Sequence, residues 1–188
     1  MRTTLLILTV CTLTLSIAPV PTSAQGQTST PPRRMGPIVP SFGGAFEVPN
    51  PGLLPPKDQD LKLRFDVNVG PEPGELNANL DTVARFLNTH AQAGVPRERL
   101  KAALVIHGTA GKDTLTSDEY RKRYGKDNPN LALLDELKAA GVRIYLCGQT
   151  SVSRNLPRAV VTPAATIALS AMTAHLVLEK EGYVLNPF

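Results

Sequence analysis

From Leu61 to Val69 apolar and charged positions alternate strictly: Leu61, Leu63, Phe65, Val67 and Val69 fall on one face, and Lys62, Arg64 and Asp66 on the other. A period of two is that of a strand with one face buried, and the charges opposite predict a sheet edge. "GPEPG" at 70–74 ends the run. The period then lengthens, with Leu80, Val83, Ala84, Leu87 and Ala91 at helical spacing across 76–93 and Gly94 as terminator. "AALVIHG" at 102–108 is a short continuous apolar run, suited to a strand buried on both faces of a parallel sheet. Thr116 or Ser117 can cap a short polar helix, with Glu119 close behind. "NPNLALLDELKAAG" reads as a helix with Asn128 as cap, Pro129 in the first turn and Gly141 as stop. "VRIYLCG" is a third strand, "AATIALS" at 164–170 a fourth, and "AMTAHLVLEKEG" the last helix. "YVLN" adds a short fifth strand.

Strands and helices alternate without an internal repeat, which argues for an α/β sandwich around a mainly parallel sheet of about five strands. Ligands and catalytic groups in such sheets gather beyond the carboxyl ends of the strands. His107 closes the second strand and Cys147 the third, so both fall on that edge.

The ends of the chain read differently. Arg2, the apolar run Leu5–Val20 and the small residues Thr22, Ser23 and Ala24 form an export signal over residues 1–24, cleaved after Ala24 for a periplasmic location. The apolar run is too short for a comfortable bilayer span. Residues 25–58 are a leader rich in Pro, Gly, Ser and Thr, expected to be partly disordered. Within it "GPIVPSFGGAF" is too apolar for a solvated linker, and it is expected to lie in a surface groove of its own or a neighbouring subunit. The domain proper is expected over 59–188.

The net charge of +4 comes from interspersed charges of both signs. That excludes a nucleic-acid or membrane-surface role as the leading reading. Cleavage removes Cys11 and leaves Cys147 as the one thiol, so no intrachain disulfide can form. Dithiol exchange is excluded for the same reason. His90, His107 and His175 are scattered with no metal-ligand spacing, so neither metal nor cofactor is expected. His90 reads as a surface residue and His175 as a packing histidine. "HGTAGKDT" departs from the phosphate-loop template in spacing and in carrying Asp113 after Lys112.

Three readings of Cys147 remain open: a small buried residue, a partner in an intermolecular disulfide, or a nucleophile. For the last, the amides at Gly148 and Gln149 and a neighbouring His107 would favour the thiolate. Arg154 could contact an anionic sulfur species.

The strand ending in "VIHG", the "ELKAAGVRIYLCGQT" block, "TPAATIALSAM", the closing "EGYVL" and the "GPIVPSFGGAFEVP" leader together resemble the DsrE/DsrF-like family, specifically its exported branch. The resemblance covers roughly residues 36–188. It implies a three-layer α/β/α sandwich with a five-stranded sheet and a homotrimer or homohexamer. It further implies a sulfur relay in which Cys147 accepts sulfane sulfur as a persulfide from a donor and hands it to an acceptor. The rival reading is a non-catalytic oligomeric binding module with a buried or redox-sensing cysteine.

Overall fold

The computed structural model describes residues 30–187. The export signal expected at 1–24 and the start of the leader lie outside the described residues. From residue 31 onward the described chain forms one compact unit. Its elements in chain order are β1 (Leu61–Val67), α1 (Ala78–Gln92), β2 (Leu100–Ile106), α2 (Ser117–Tyr124), α3 (Leu131–Ala139), β3 (Arg143–Cys147), α4 (Gly148–Ser153), β4 (Thr166–Ala168), α5 (Ala171–Lys180) and β5 (Val184–Leu185).

The five strands form a single sheet in the order β4-β3-β2-β1-β5, and every pairing is parallel. The chain moves steadily outward from β1 to β4, then returns across the sheet to lay β5 beside β1. Because parallel crossovers are right-handed, reversing that direction puts α5 on the opposite face from α1 and α3. The result is helices on both faces of a parallel sheet, as the alternating pattern predicts.

The two faces follow from the strand period. Phe65, Val67, Leu104, Ile106, Ile144 and Leu146 turn to one side and pack with Leu80, Val83 and Leu87 of α1 and Leu133, Leu134 and Leu137 of α3 in the main core. Ala103 and Val105 turn to the other side, where a smaller core is completed by Ala174 and Leu178 of α5 and by Tyr183.

β1 is not the edge that its charges predict, since β5 pairs with Leu63 and Arg64 on its outer side. Arg64 is buried at 6 % exposure. Its guanidinium donates to the carbonyls of His175 (3.2 Å) and Tyr183 (3.0 Å) and to the Glu179 carboxylate (2.6 Å). Charge on a strand therefore marked an anchor for α5, because a mid-helix carbonyl, a post-helix carbonyl and the Glu179 carboxylate satisfy the guanidinium.

The apolar part of the leader packs on its own chain. Ile38 and Val39 enter the main core, and buried Asn88 of α1 holds them there. Its Oδ1 accepts from the amides of Ile38 (3.1 Å) and Val39 (2.9 Å), while its Nδ2 donates to the carbonyls of Val39, Phe42 and Gly43.

Candidate functional site

Cys147 is the last residue of β3 and the capping residue of α4. It is a free thiol, buried at 5 % exposure. Gly148 makes this sharp turn possible. A Cβ there would stand 2.4 Å from the Ala168 carbonyl oxygen of β4 and 2.8 Å from that of Leu169, so any larger residue must push the neighbouring strand away.

Two opposed influences act on the thiol. Burial raises its pKa, because a charged sulfur loses solvation. Hydrogen bonds to the sulfur from the Thr150 and Ala171 amides, the Thr150 hydroxyl and the Gln149 amide favour the charged form. Together these hold the thiol below its ordinary value. Thr150 serves two ends at once: its Oγ1 also accepts from the Gly108 amide at 3.0 Å. It thus ties the loop after β2 to the turn that carries the sulfur.

His107, expected to favour the thiolate, follows β2 in an extended conformation. Ile106 and Leu146 are register partners, so His107 and Cys147 are the next residues on adjacent strands. The imidazole is engaged on the opposite side, however. Its Nε2 meets Asp66 Oδ1 of β1 at 3.0 Å. The same carboxylate oxygen meets His175 Nε2 of α5 at 2.9 Å. The groups bonded to the sulfur come from Gln149, Thr150 and Ala171, and neither His107 nor the Gly148 amide is among them.

Gln149 is exposed, and its side chain reaches toward the Leu169 carbonyl (3.4 Å). Arg154 follows α4 and is exposed; it lines a cavity of about 540 Å³ with Gly70, Thr109, Lys112 and Arg123. Cys147 is not part of that lining. Arg158, the other arginine downstream of the thiol, donates to the carbonyls of Val161, Thr162 and Ala165, a purely structural use.

The remaining sequence candidates sort in the same way. His90 Nδ1 donates to the Phe86 carbonyl (2.8 Å), and its ring packs at a tilt against the Phe86 ring. The loop "GTAGKDT" forms a tight 3-10 turn. Its Asp113 is fully buried and bonded to Asn77 Nδ2 (2.8 Å) and Lys112 Nζ (2.8 Å). Burial raises the Asp113 carboxyl, with the Asn77 and Lys112 contacts opposing. No group of three or more His, Cys, Asp or Glu among the described residues is arranged to hold a metal ion. No helix among them is long and apolar enough to cross a membrane.

Asp66, Thr150, Ala171 and His175 were not singled out from the sequence. The one available signal was Thr150, three residues beyond Cys147. Asp66 and His175 lie far from the thiol along the chain, and only the sheet order brings them near.

Among curated proteins no significant match exists. Among solved structures, the chain is similar to a protein of unknown function from Methanobacterium thermoautotrophicum, with 16 % identity and a TM-score of 0.48. The match covers 68 % of this chain and 98 % of that one. The model of the DsrE/DsrF-like family matches residues 65–187, a span that takes in the thiol turn, the His107 strand end and all of α5. The chain belongs to the DsrE/DsrF-like family.

Proposed function

We propose that the protein is an exported sulfur-relay protein, in which Cys147 carries sulfane sulfur as a persulfide between a donor and an acceptor. The observation that carries this reading is the set of hydrogen bonds on the sulfur. Three amides and one hydroxyl favour the thiolate, and the thiolate is the form that attacks a sulfane sulfur. Membership in the DsrE/DsrF-like family supports it. In this reading the signal is removed after Ala24, the mature protein works in the periplasm as a homotrimer or homohexamer, and it has no resident cofactor.

The relay is tested by incubating the mature protein with a low-molecular-weight persulfide and weighing it intact. Wild type gains the mass of one sulfur atom and returns to its starting mass when reduced, whereas Cys147→Ser gains nothing. An unmodified wild type whose thiol also resists iodoacetamide in the folded state would sink the relay.

One observation favours the rival reading, a non-catalytic binding module: Cys147 is buried, at 5 % exposure. That reading expects a folded protein whose Cys147 alkylates only after denaturation.

A further inference from the structure

Asp66, His107 and Cys147 lie on three adjacent strands, β1, β2 and β3, on the face covered by α5; His107 and Cys147 are level, and Asp66 sits one same-face position earlier, in register with Val105. Residue alternation fixes the face. Ile106 and Leu146 pair with one another and point into the main core, so the residues that follow them, His107 and Cys147, turn to the other side. Asp66 turns the same way, because it bonds His175 of α5. α5 spans the three positions. Ala171, its first residue, donates its amide to the sulfur. His175, four residues on and therefore on the same helix face, reaches the carboxylate.

The hydrogen bonds also set the tautomer. A carboxylate oxygen accepts only, so both imidazoles present Nε2–H to Asp66 and keep Nδ1 as the basic nitrogen. Nδ1 of His107 has no hydrogen-bond partner among the described residues. These groups are not sealed in the core: the side chains of Asp66 and His107 are 38 % and 29 % exposed. A satisfied core pair would be buried, whereas this one is open at the strand ends beside a thiol.

We propose that His107 is the proton carrier for sulfur transfer at Cys147 and that Asp66 is the residue positioning it. The inference rests on the sulfur-relay reading. The step balances without an oxidant or reductant. His107 Nδ1 takes the proton of the Cys147 thiol, and the thiolate attacks the outer sulfur of a persulfide R–S–SH. A new S–S bond forms at Cys147 as the donor's S–S bond breaks. The leaving R–S⁻ takes the bonding electron pair and receives the proton from His107, giving Cys147–S–SH and R–SH. Asp66 holds the ring at Nε2, the orienting role that a carboxylate plays beside a base at other thiol- and hydroxyl-based sites.

Alkylation and sulfur transfer separate this role from a structural one. Iodide leaves without a proton and R–S⁻ does not leave well without one. Single-turnover transfer from a low-molecular-weight persulfide is measured by mass, beside the rate of iodoacetamide alkylation, in His107→Ala, His107→Gln and Asp66→Asn. Transfer at neutral pH is expected to slow by about tenfold or more in each variant that folds, the low end of or below the usual general acid–base contribution, while alkylation, run above the ordinary thiol value of 9.0 so that the thiolate forms without a base, stays within about twofold. Wild-type transfer rates in the folded variants, or equal losses of transfer and alkylation, would overturn the assignment. If wild type itself accepts no sulfur, it is the relay reading that fails.

Discussion

Toward α1 and α3 the central strands present Phe65, Val67, Leu104, Ile106, Ile144 and Leu146, all buried against two helices and the leader. Toward α5 the same strands present Arg64, Asp66, Val105, His107, Tyr145 and Cys147, with a core of only a few residues. Each strand thus serves both sides at once, since neighbouring residues point in opposite directions. The first face holds the fold together. The second, under a single helix, buries Arg64 and Cys147 but keeps Asp66 and His107 at partial exposure, where they can meet a substrate. Even α5 is only half committed: Ala174 and Leu178 are buried, while Met172, Leu176 and Val177 are exposed.

If the faces divide stability from chemistry in this way, truncations in the main core should cost most. Leu134→Ala, at a fully buried position of α3, is expected to lower stability by about 2–5 kcal/mol in urea denaturation. The exposed Leu176→Ala on α5 should change it by less than about 0.5 kcal/mol. Similar losses at the two positions would break the comparison.

Asn88→Ala comes next. It leaves two amides and three carbonyls of the leader without their side-chain partner. A loss of at least about 2 kcal/mol is expected, together with new protease cleavage between residues 36 and 45. A leader that stays protected in this variant would show that Ile38 and Val39 are held by apolar contact alone.

Thr150→Val sharpens the comparison from the thiol side. It keeps the shape but removes the hydroxyl that bonds the sulfur and accepts from Gly108. The expected outcome is a thiol with a higher pKa and slower iodoacetamide alkylation at neutral pH, with a stability change of about 1 kcal/mol. Unchanged alkylation would assign the thiolate to the backbone amides only.

The smallest effect is a slope. The Cys147 thiol titrates below its ordinary value of 9.0 in the folded protein. Between the folded value and the ordinary one, the unfolded chain holds the extra proton. Stability from this group therefore rises with pH through that window and is lost as pH falls through the folded value. Cys147→Ser should remove that rise from denaturation curves taken across the window.

Much of the fold was legible in advance because its signals are local. The alternation at 61–69, the helical spacing at 80–91 and the Leu stripe of α3 each report a face within one element. What was misjudged depended on partners elsewhere. Lys62, Arg64 and Asp66 read as a solvated edge, yet Arg64 is buried because α5 and Tyr183 supply carbonyls for it. Asn128 read as a helix cap, but the helix begins at Leu131. The Asn128 amide instead donates to the Asp113 and Leu115 carbonyls (3.0 and 2.8 Å). α4, at Gly148–Ser153, is too short for a period to show. At the site, the thiol and the strand-end histidine stood out through position alone. His175 read as packing because nothing near it in the chain reveals Asp66.

By itself, the sequence determined which residues form strands and helices, the parallel α/β class and the placing of His107 and Cys147 at strand ends. Those properties follow from side-chain periodicity and chain breakers, which act over a few residues. Tertiary structure alone decided that β5 covers β1, that α5 lies on the face away from α1, and that Asp66 stands between two histidines. Those outcomes depend on strand order and crossover hand, which join residues separated by a hundred positions or more in the chain. The thiol seen in "YLCGQT" and its Gln149 and Thr150 donors were thus local facts, and the Ala171 amide arrived from a helix that only the folded sheet brings beside the sulfur.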